Sequence, residues 1–196
     1  MEAKASGNTT AIPRRRVGVR ERLGGLPGVA NGNGAARALD PNHPSAKLDR
    51  YLESTSAVAL HHLKLPAGSR VDSLIVGPAG ITVVDTSHYR AKRVCVHPNA
   101  ALKAGRRNRT DWIYAALGQV EELREVLVGT PYESVPVEAA LVLGEVTGVP
   151  VIESFSHPRI LTWGTRWVAQ EASRPGPIPD RTVASLATLL RAELAR

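Results

Sequence analysis

The stretch Arg70-Val71-Asp72-Ser73-Leu74-Ile75-Val76-Gly77-Pro78-Ala79-Gly80-Ile81-Thr82-Val83-Val84-Asp85-Thr86-Ser87 carries one aspartate in each of two apolar runs. The runs, residues 71–76 and 81–84, are rich in β-branched side chains, and a Gly-Pro-Ala-Gly turn joins them, so they read as the two strands of a hairpin. Carboxylates are rare inside such runs because an unpaired buried charge is costly. Two readings follow from spacing alone. Asp72 caps a strand end and Asp85 closes its strand before Thr86 and Ser87, or the two carboxylates converge on one divalent cation. Mg²⁺ takes oxygen ligands, commonly one or two carboxylates with water completing the octahedron. Spacing by itself favours the first reading.

The chain around the hairpin alternates helical and extended signals. Residues 57–65 are strand-like, and residues 93–97 predict another strand. Leu48, Tyr51 and Leu52 are spaced i, i+3, i+4 and predict a short amphipathic helix over residues 46–54. Thr110, followed by Asp111, predicts the N-cap of a long helix whose face carries Ile113, Leu117, Val120, Leu123 and Leu127 and which ends near Gly129. Residues 135–146 form a largely apolar segment of the kind found at the centre of a sheet. Short extended pieces follow around Val151-Ile152 and Ile160-Leu161, and residues 173–177, Ser-Arg-Pro-Gly-Pro, break the chain. A last helix, residues 179–195, carries Val183, Leu186, Leu190 and Leu194 on one stripe. This order predicts an α/β sandwich, a central mixed β-sheet flanked by helices. Residues 1–45, rich in Gly, Asn, Ala and Arg, predict a mobile basic arm ahead of a domain spanning 46–196.

Composition narrows the class. The 196 residues are 43% hydrophobic and carry a formal net charge of +7. No apolar run approaches the ~18 residues of a membrane span, and no signal-peptide pattern opens the chain. The single cysteine, Cys95, excludes an intrachain disulfide and predicts a small buried hydrophobe. A cytoplasmic setting without a membrane partner is expected. The first 38 residues hold seven cations against two carboxylates, a net +5, so much of the basic excess is local. Lys103, Arg106, Arg107 and Arg109 gather four cations in seven residues just before the long helix, a candidate nucleic-acid-binding segment; a solvated loop is the competing reading. His61 and His62 alternate along a strand and cannot both face one metal. Trp112, Trp163 and Trp167 are too scattered for a base-stacking platform and are expected in or beside the core.

Three segments together carry a family resemblance: His61-His62-Leu63-Lys64-Leu65-Pro66; Val71-Asp72-Ser73-Leu74-Ile75-Val76-Gly77-Pro78-Ala79-Gly80; and Val84-Asp85-Thr86-Ser87-His88-Tyr89-Arg90. They resemble the nuclease-related domain (NERD) family, actinobacterial type, with its L-H-D-x-x-x-P, N-I-D-H-x-x-V-G-P-x-G-V and V-I-D-A-K-x-Y-x-G patterns. Ala104-Gly105-Arg106-Arg107-Asn108-Arg109-Thr110 is similar to that family's G-G-R-x-x-T segment, and the likeness runs over roughly residues 47–195. The resemblance implies a restriction-endonuclease-like sandwich of the PD-(D/E)XK nuclease superfamily. It implies Asp72 and Asp85 as catalytic carboxylates holding Mg²⁺, and Gln119 as the helix glutamine beside them.

The departures weigh as much. Ser87 stands where the family has its catalytic lysine, Ser73 follows the first aspartate where the family has histidine, His62 replaces the aspartate of L-H-D, and Ala91 replaces a glycine. The acidic residue of an N-terminal helix has no clear counterpart; Asp40 and Glu53 are the candidates, and Pro41 and Pro44 disfavour a regular helix there. Losing one charge-stabilising donor typically costs about 10²–10³ in rate, and a serine hydroxyl carries no charge. Arg90 or Lys92 is the candidate replacement. The expectation is a degenerate, weakly active or inactive nuclease-related domain, a pseudoenzyme able to bind nucleic acid. An active Mg²⁺-dependent nuclease and a non-catalytic interaction module are the alternatives.

Overall fold

The computed structural model describes residues 43–87, 94–96, 101–143, 151–152, 161–162 and 164–194. Most of the expected arm (residues 1–42) lies outside the described residues, as do Asp40, Arg90, Ala91, Lys92 and Trp163.

The first helix, α1 (Pro44–Leu52), begins on a proline, which costs nothing in a first turn whose N–H has no helical partner. The His43 ring accepts from the Ser45 N–H at 3.3 Å and closes the helix start. The helix expected over residues 46–54 is thus present, starting two residues earlier on Pro44. Leu48 and Leu52 are buried as expected, but Tyr51 is exposed.

Three antiparallel strands follow: β1 (Val58–Lys64), β2 (Arg70–Gly77) and β3 (Gly80–Ser87). The β2–β3 register runs from Gly77↔Gly80 to Ser73↔Val84, so the predicted hairpin is present around its Pro-Ala turn. Three short strands come next, β4 (Val94–Val96), β5 (Leu102–Ala104) and β6 (Arg107–Asn108), then the long helix α2 (Thr110–Leu127) and the strand β7 (Val137–Leu143). The chain closes with β8 (Val151–Ile152), β9 (Leu161–Thr162), α3 (Thr165–Ala172) and α4 (Asp180–Leu194). The main sheet has the order β1-β2-β3-β7-β9, and a smaller sheet has the order β6-β5-β4-β8. β3 and β7 are parallel, which requires a crossover, and α2 lies in that connection. The architecture is mixed α/β, a central mixed sheet flanked by helices, as expected.

Two apolar clusters hold the layers. One joins Leu60, Leu74, Val76, Ile81, Val83, Ala139 and Leu141 of the main sheet to Ile113, Val120 and Leu123 of α2 and to Val183, Leu186 and Leu190 of α4. The other joins Ile75, Val84, Ala140 and Val142 to Leu48 and Leu52 of α1 and to Val168, Ala169 and Ala172 of α3. Alternate residues of β2, β3 and β7 thus feed opposite layers, as the pleat dictates. Each fully buried leucine contributes roughly 1.5–3 kcal/mol.

Several expectations are corrected. Thr110 is the first helical residue of α2, not its N-cap; Arg109 occupies that place, and the Asn108 side chain accepts from the Thr110 N–H at 2.9 Å. Leu117 is half-buried, and Gln119 sits in the buried stripe instead. The basic segment before α2 forms the paired strands β5 and β6 rather than a loop, with Lys103↔Asn108 and Ala104↔Arg107 in register. Trp167 is 44% exposed, whereas Trp112 packs against the first cluster as expected. The helix α3 has no counterpart in the sequence reading. Among the described residues no helix is long and apolar enough to cross a membrane.

The C-terminal segment is fastened to the hairpin turn by backbone. Ile178 N–H donates to Pro78 O at 3.0 Å, and a Cβ added at Gly77 would lie 2.1 Å from Ala172 O. Gly118, on the exposed side of α2, would accept a Cβ into open space. Gly77→Ala should therefore destabilise the fold by about 1–3 kcal/mol through overpacking. Gly118→Ala should stabilise it by about 0.5–1 kcal/mol through helix propensity. Paired thermal melts read both signs.

Candidate metal centre

Extending the β2–β3 register by one residue past Ser73↔Val84 sets Asp72 directly across from Asp85. Cross-strand neighbours project to the same side of a sheet, so the two carboxyl groups face each other closely enough for Asp72 to disfavour the charge on Asp85. The Thr86 N–H donates to Asp72 Oδ2 at 2.8 Å, which draws the Asp72 side chain across to β3. Both aspartates are half-buried. Burial pushes the Asp85 carboxyl above its ordinary value, the charge of Asp72 and the hydrogen bond to it push the same way, and the Thr86 N–H opposes them.

The backbone beside the pair is unusual. His62 has φ 55°, the left-handed region, in the middle of β1. The ladder pairs His61 with Ser73 and Leu63 with Val71, so His62 falls level with Asp72. The kink lets Leu60 and Leu63, three residues apart, pack on the same cluster, where strict alternation would send them to opposite faces. Val71 and Leu74 of β2 share that cluster in the same way. The facing of the sheet changes where the first aspartate sits. Histidine tolerates this region better than most side chains, yet such a residue still costs of order 1–3 kcal/mol and needs support from its surroundings.

Helix α2 supplies part of that support. Gln119 is 7% exposed and donates from Nε2 to Arg70 O at 3.0 Å, two residues before Asp72. Its buried Oε1 has no hydrogen-bond partner among the described residues. One turn further on, the Glu122 carboxylate accepts from the Ala67 N–H and the Ser69 hydroxyl. The two side chains clamp the β1–β2 turn and the start of β2 onto the helix. The sequence offered Gln119 for this neighbourhood but not Glu122, whose signal is a polar residue placed one turn from Gln119.

On the far side of the strand lies a relay that sequence reading missed. His61 bridges Ser73 Oγ, 2.7 Å from Nδ1, and Asp49 Oδ1, 2.9 Å from Nε2. It ties α1 to β1 and β2. The carboxylate that α1 brings to the sheet is thus Asp49, and it meets a histidine. Glu53 sits exposed at the C-cap of α1, and Asp40 is outside the described residues. Ser73, 1% exposed, is held by His61. His62 is exposed, so the two histidines serve different surroundings, and among the described residues neither joins a metal cluster.

The remaining candidates divide. Ser87 ends β3 two residues after Asp85, its backbone paired with Leu143 of β7. Lys103, Arg106 and Arg107 are exposed on the β5–β6 hairpin. Arg109 is half-buried, its guanidinium 5.1 Å from the Trp112 ring centroid, a cation–π distance. Lys103 and Arg107 belong to the smaller sheet and the aspartates to the larger. Among the described residues no group of three or more His, Cys, Asp and Glu side chains is arranged to hold a metal ion. Two adjoining carboxylates, one of them resisting ionisation, still fit a single Mg²⁺, because a cation removes the repulsion that burial enforces and water completes its octahedron.

Comparison with known proteins adds one finding. The family model described as the nuclease-related domain, NERD, matches residues 44–144, just over half of the 196-residue chain. The matched segment runs from α1 through β7. Comparisons with curated proteins and with solved structures gave no match.

A carboxyl held above its ordinary value favours folding with its proton on. Its stabilising effect is full below the ordinary carboxylate range and falls as pH rises through the raised value. Without divalent cation, Asp85→Asn should therefore melt above the unsubstituted protein at neutral pH, and the gap should close on acidification below that range. Adding Mg²⁺ should raise the melting temperature of the unsubstituted protein and leave Asp85→Asn unmoved. Thermal melts across pH, with and without Mg²⁺, measure both effects.

Proposed function

Because this chain belongs to the nuclease-related domain family, we propose that it is a PD-(D/E)XK-type domain that keeps the carboxylate pair of a nuclease centre, binds nucleic acid and hydrolyses it weakly or not at all. The observation that carries this reading is the half-buried Asp72–Asp85 pair, set directly across from each other on adjacent strands while Ser87 occupies the lysine position. An acidic pair in this setting has no structural need for its second charge. Asp72 is accounted for by the Thr86 N–H, whereas Asp85 is disfavoured by its surroundings.

Asp72 and Asp85 would hold Mg²⁺, which when bound lowers the pKa of an attached water and offsets charge developing on a phosphate. Gln119 and Glu122 fix the start of β2 and with it the position of Asp72. The Gln119 Oε1, buried and unsatisfied, leaves an acceptor near that strand start. The exposed Lys103, Arg106 and Arg107 would meet the phosphate backbone. Arg109, engaged with Trp112, has the smaller share. Ser87 puts no cationic side chain at the position from which the second positive charge an anionic transition state needs would come.

The active-nuclease reading rests on the same pair with Arg90 or Lys92 as the replacement cation, and one assay separates the two. With Mg²⁺ or Mn²⁺, the protein should leave plasmid and single-stranded substrates uncut or nearly so. Ser87→Lys should raise cleavage by up to about 10²–10³. Cleavage by the unsubstituted protein that vanishes in Asp85→Ala would instead establish an active enzyme. Binding should weaken steeply with salt, and replacing Lys103, Arg106 and Arg107 by alanine should flatten the log–log slope by up to about 0.9 per cation removed. A binding curve flat in salt would leave only the interaction-module reading.

A further inference from the structure

At the opposite end of β3 from Asp85, the main sheet leaves a cleft of about 240 Å³ between the hairpin turn, β7 and the segment following α3. Its floor is Thr82 and Glu138, paired side by side in the β3–β7 ladder. A smaller notch continues from the same two residues beneath Trp167 and Glu171 of α3. Glu138 is the carboxylate on the sheet itself. Its next neighbours on that face, Ala140 and Val142, are buried, whereas β9 pairs with β7 only at Leu141 and Val142 and does not reach as far as Glu138. Glu138 is exposed there and has no hydrogen bond or ion pair among the described residues.

The walls repeat one chemistry. Glu171 Oε2 accepts from Arg174 Nη1 at 2.8 Å, so a guanidinium already sits on one carboxylate of the cleft. Trp167, 44% exposed, stands at the mouth of the notch that Glu138 lines. Two carboxylates against one guanidinium leave a net negative cleft on a chain whose formal charge is +7. An exposed indole beside an unpaired carboxylate suits a planar guanidinium, which stacks on the ring and donates in a fork to the oxygens. A phosphate would meet the two carboxylates first and be repelled.

We propose that this cleft binds an arginine side chain presented by a partner polypeptide, with Glu138 as the ion-pair partner and Trp167 as the stacking surface. Gly80 and Pro136 line the cleft on the side of the hairpin turn. Arg174 holds Glu171 in place, so the incoming guanidinium takes Glu138 without displacing it. The site is independent of the Asp72–Asp85 pair. α3 and Arg174 also fall outside the matched segment, residues 44–144, so it is built partly from sequence that the family model does not span.

The test is an NMR titration of isotope-labelled full-length protein with acetyl-Gly-Arg-Gly-amide, followed at the amides of Thr82 and Glu138 and at the Trp167 indole, with the Trp112 indole as internal reference. Saturable shifts confined to the cleft are expected. The citrulline peptide, same shape without the charge, should bind at least about tenfold more weakly, the worth of one charge-assisted hydrogen bond. Glu138→Gln and Trp167→Ala should each weaken the arginine peptide by about the same factor. Both side chains are exposed, so the melting temperature should not change. Equal binding of the arginine and citrulline peptides overturns the proposal. So does unchanged affinity in Glu138→Gln, or a stronger response of the same signals to inorganic phosphate, which would mark an anion site on Arg174.

Discussion

Two carboxylates do not stay side by side unless the backbone beneath them is fixed. Here the antiparallel register of β2 with β3 does the fixing, and much of the structure is arranged around it. The strand start is clamped by Gln119 and Glu122 from α2, and the turn is closed by the backbone of Ala172 and Ile178. β1 and β7 flank the hairpin, and the hairpin's two faces supply residues to both apolar clusters. A repulsive pair placed on a frame this constrained cannot relax by moving apart. Holding a proton on Asp85 relieves the repulsion, and a bound cation would do the same. That choice gives the site its chemical character independently of whether hydrolysis follows.

The left-handed kink at His62 belongs to the same constraint. By switching the facing of β1 level with Asp72, it keeps Leu63 and Val71 in the apolar layer while the aspartate stays only half-buried. A polar pair and a continuous core can then share one strand. The Asp49–His61–Ser73 relay secures the strand from the other side, where it joins α1 to β2. The family's histidine after the first aspartate is replaced by Ser73, and the replacement is coherent, because its hydroxyl completes a bridge that His61 and Asp49 begin.

Legibility followed the strength of the local pattern. The β2–β3 hairpin was readable because β-branched runs flank an unmistakable turn, and α4 because Val183, Leu186, Leu190 and Leu194 repeat at helical spacing over fifteen residues. α3 was not, because eight residues with buried Val168, Ala169 and Ala172 give too few points to define a period. β5 and β6 were hidden by their cations: Leu102 and Ala104 alternate around Lys103, but Arg106, Arg107 and Asn108 read as loop. Thr110 resembled a cap because capping chemistry is local, yet the cap comes from Asn108, two residues earlier. Of the candidate site, the aspartates were visible as misfits in apolar strands. Glu122 and Asp49 were not, since their partners lie 53 and 12 residues away and nothing in their own surroundings marks them.

The segment that resembles the family ends at residue 144, but the folded unit does not. α4 contributes Val183, Leu186 and Leu190 to the larger core, and Ile178 donates its N–H to the turn that carries the hairpin. Gly176 approaches that turn so closely that a Cβ would lie 2.4 Å from Pro78 O. A polypeptide stopping at the limit of the resemblance would strip α4 from β1 and β2 and free the turn that sets the hairpin's register. The family match and the packing that supports its hairpin therefore have different extents in this chain, and α4, which ends some fifty residues beyond the match at Leu194, belongs to the second.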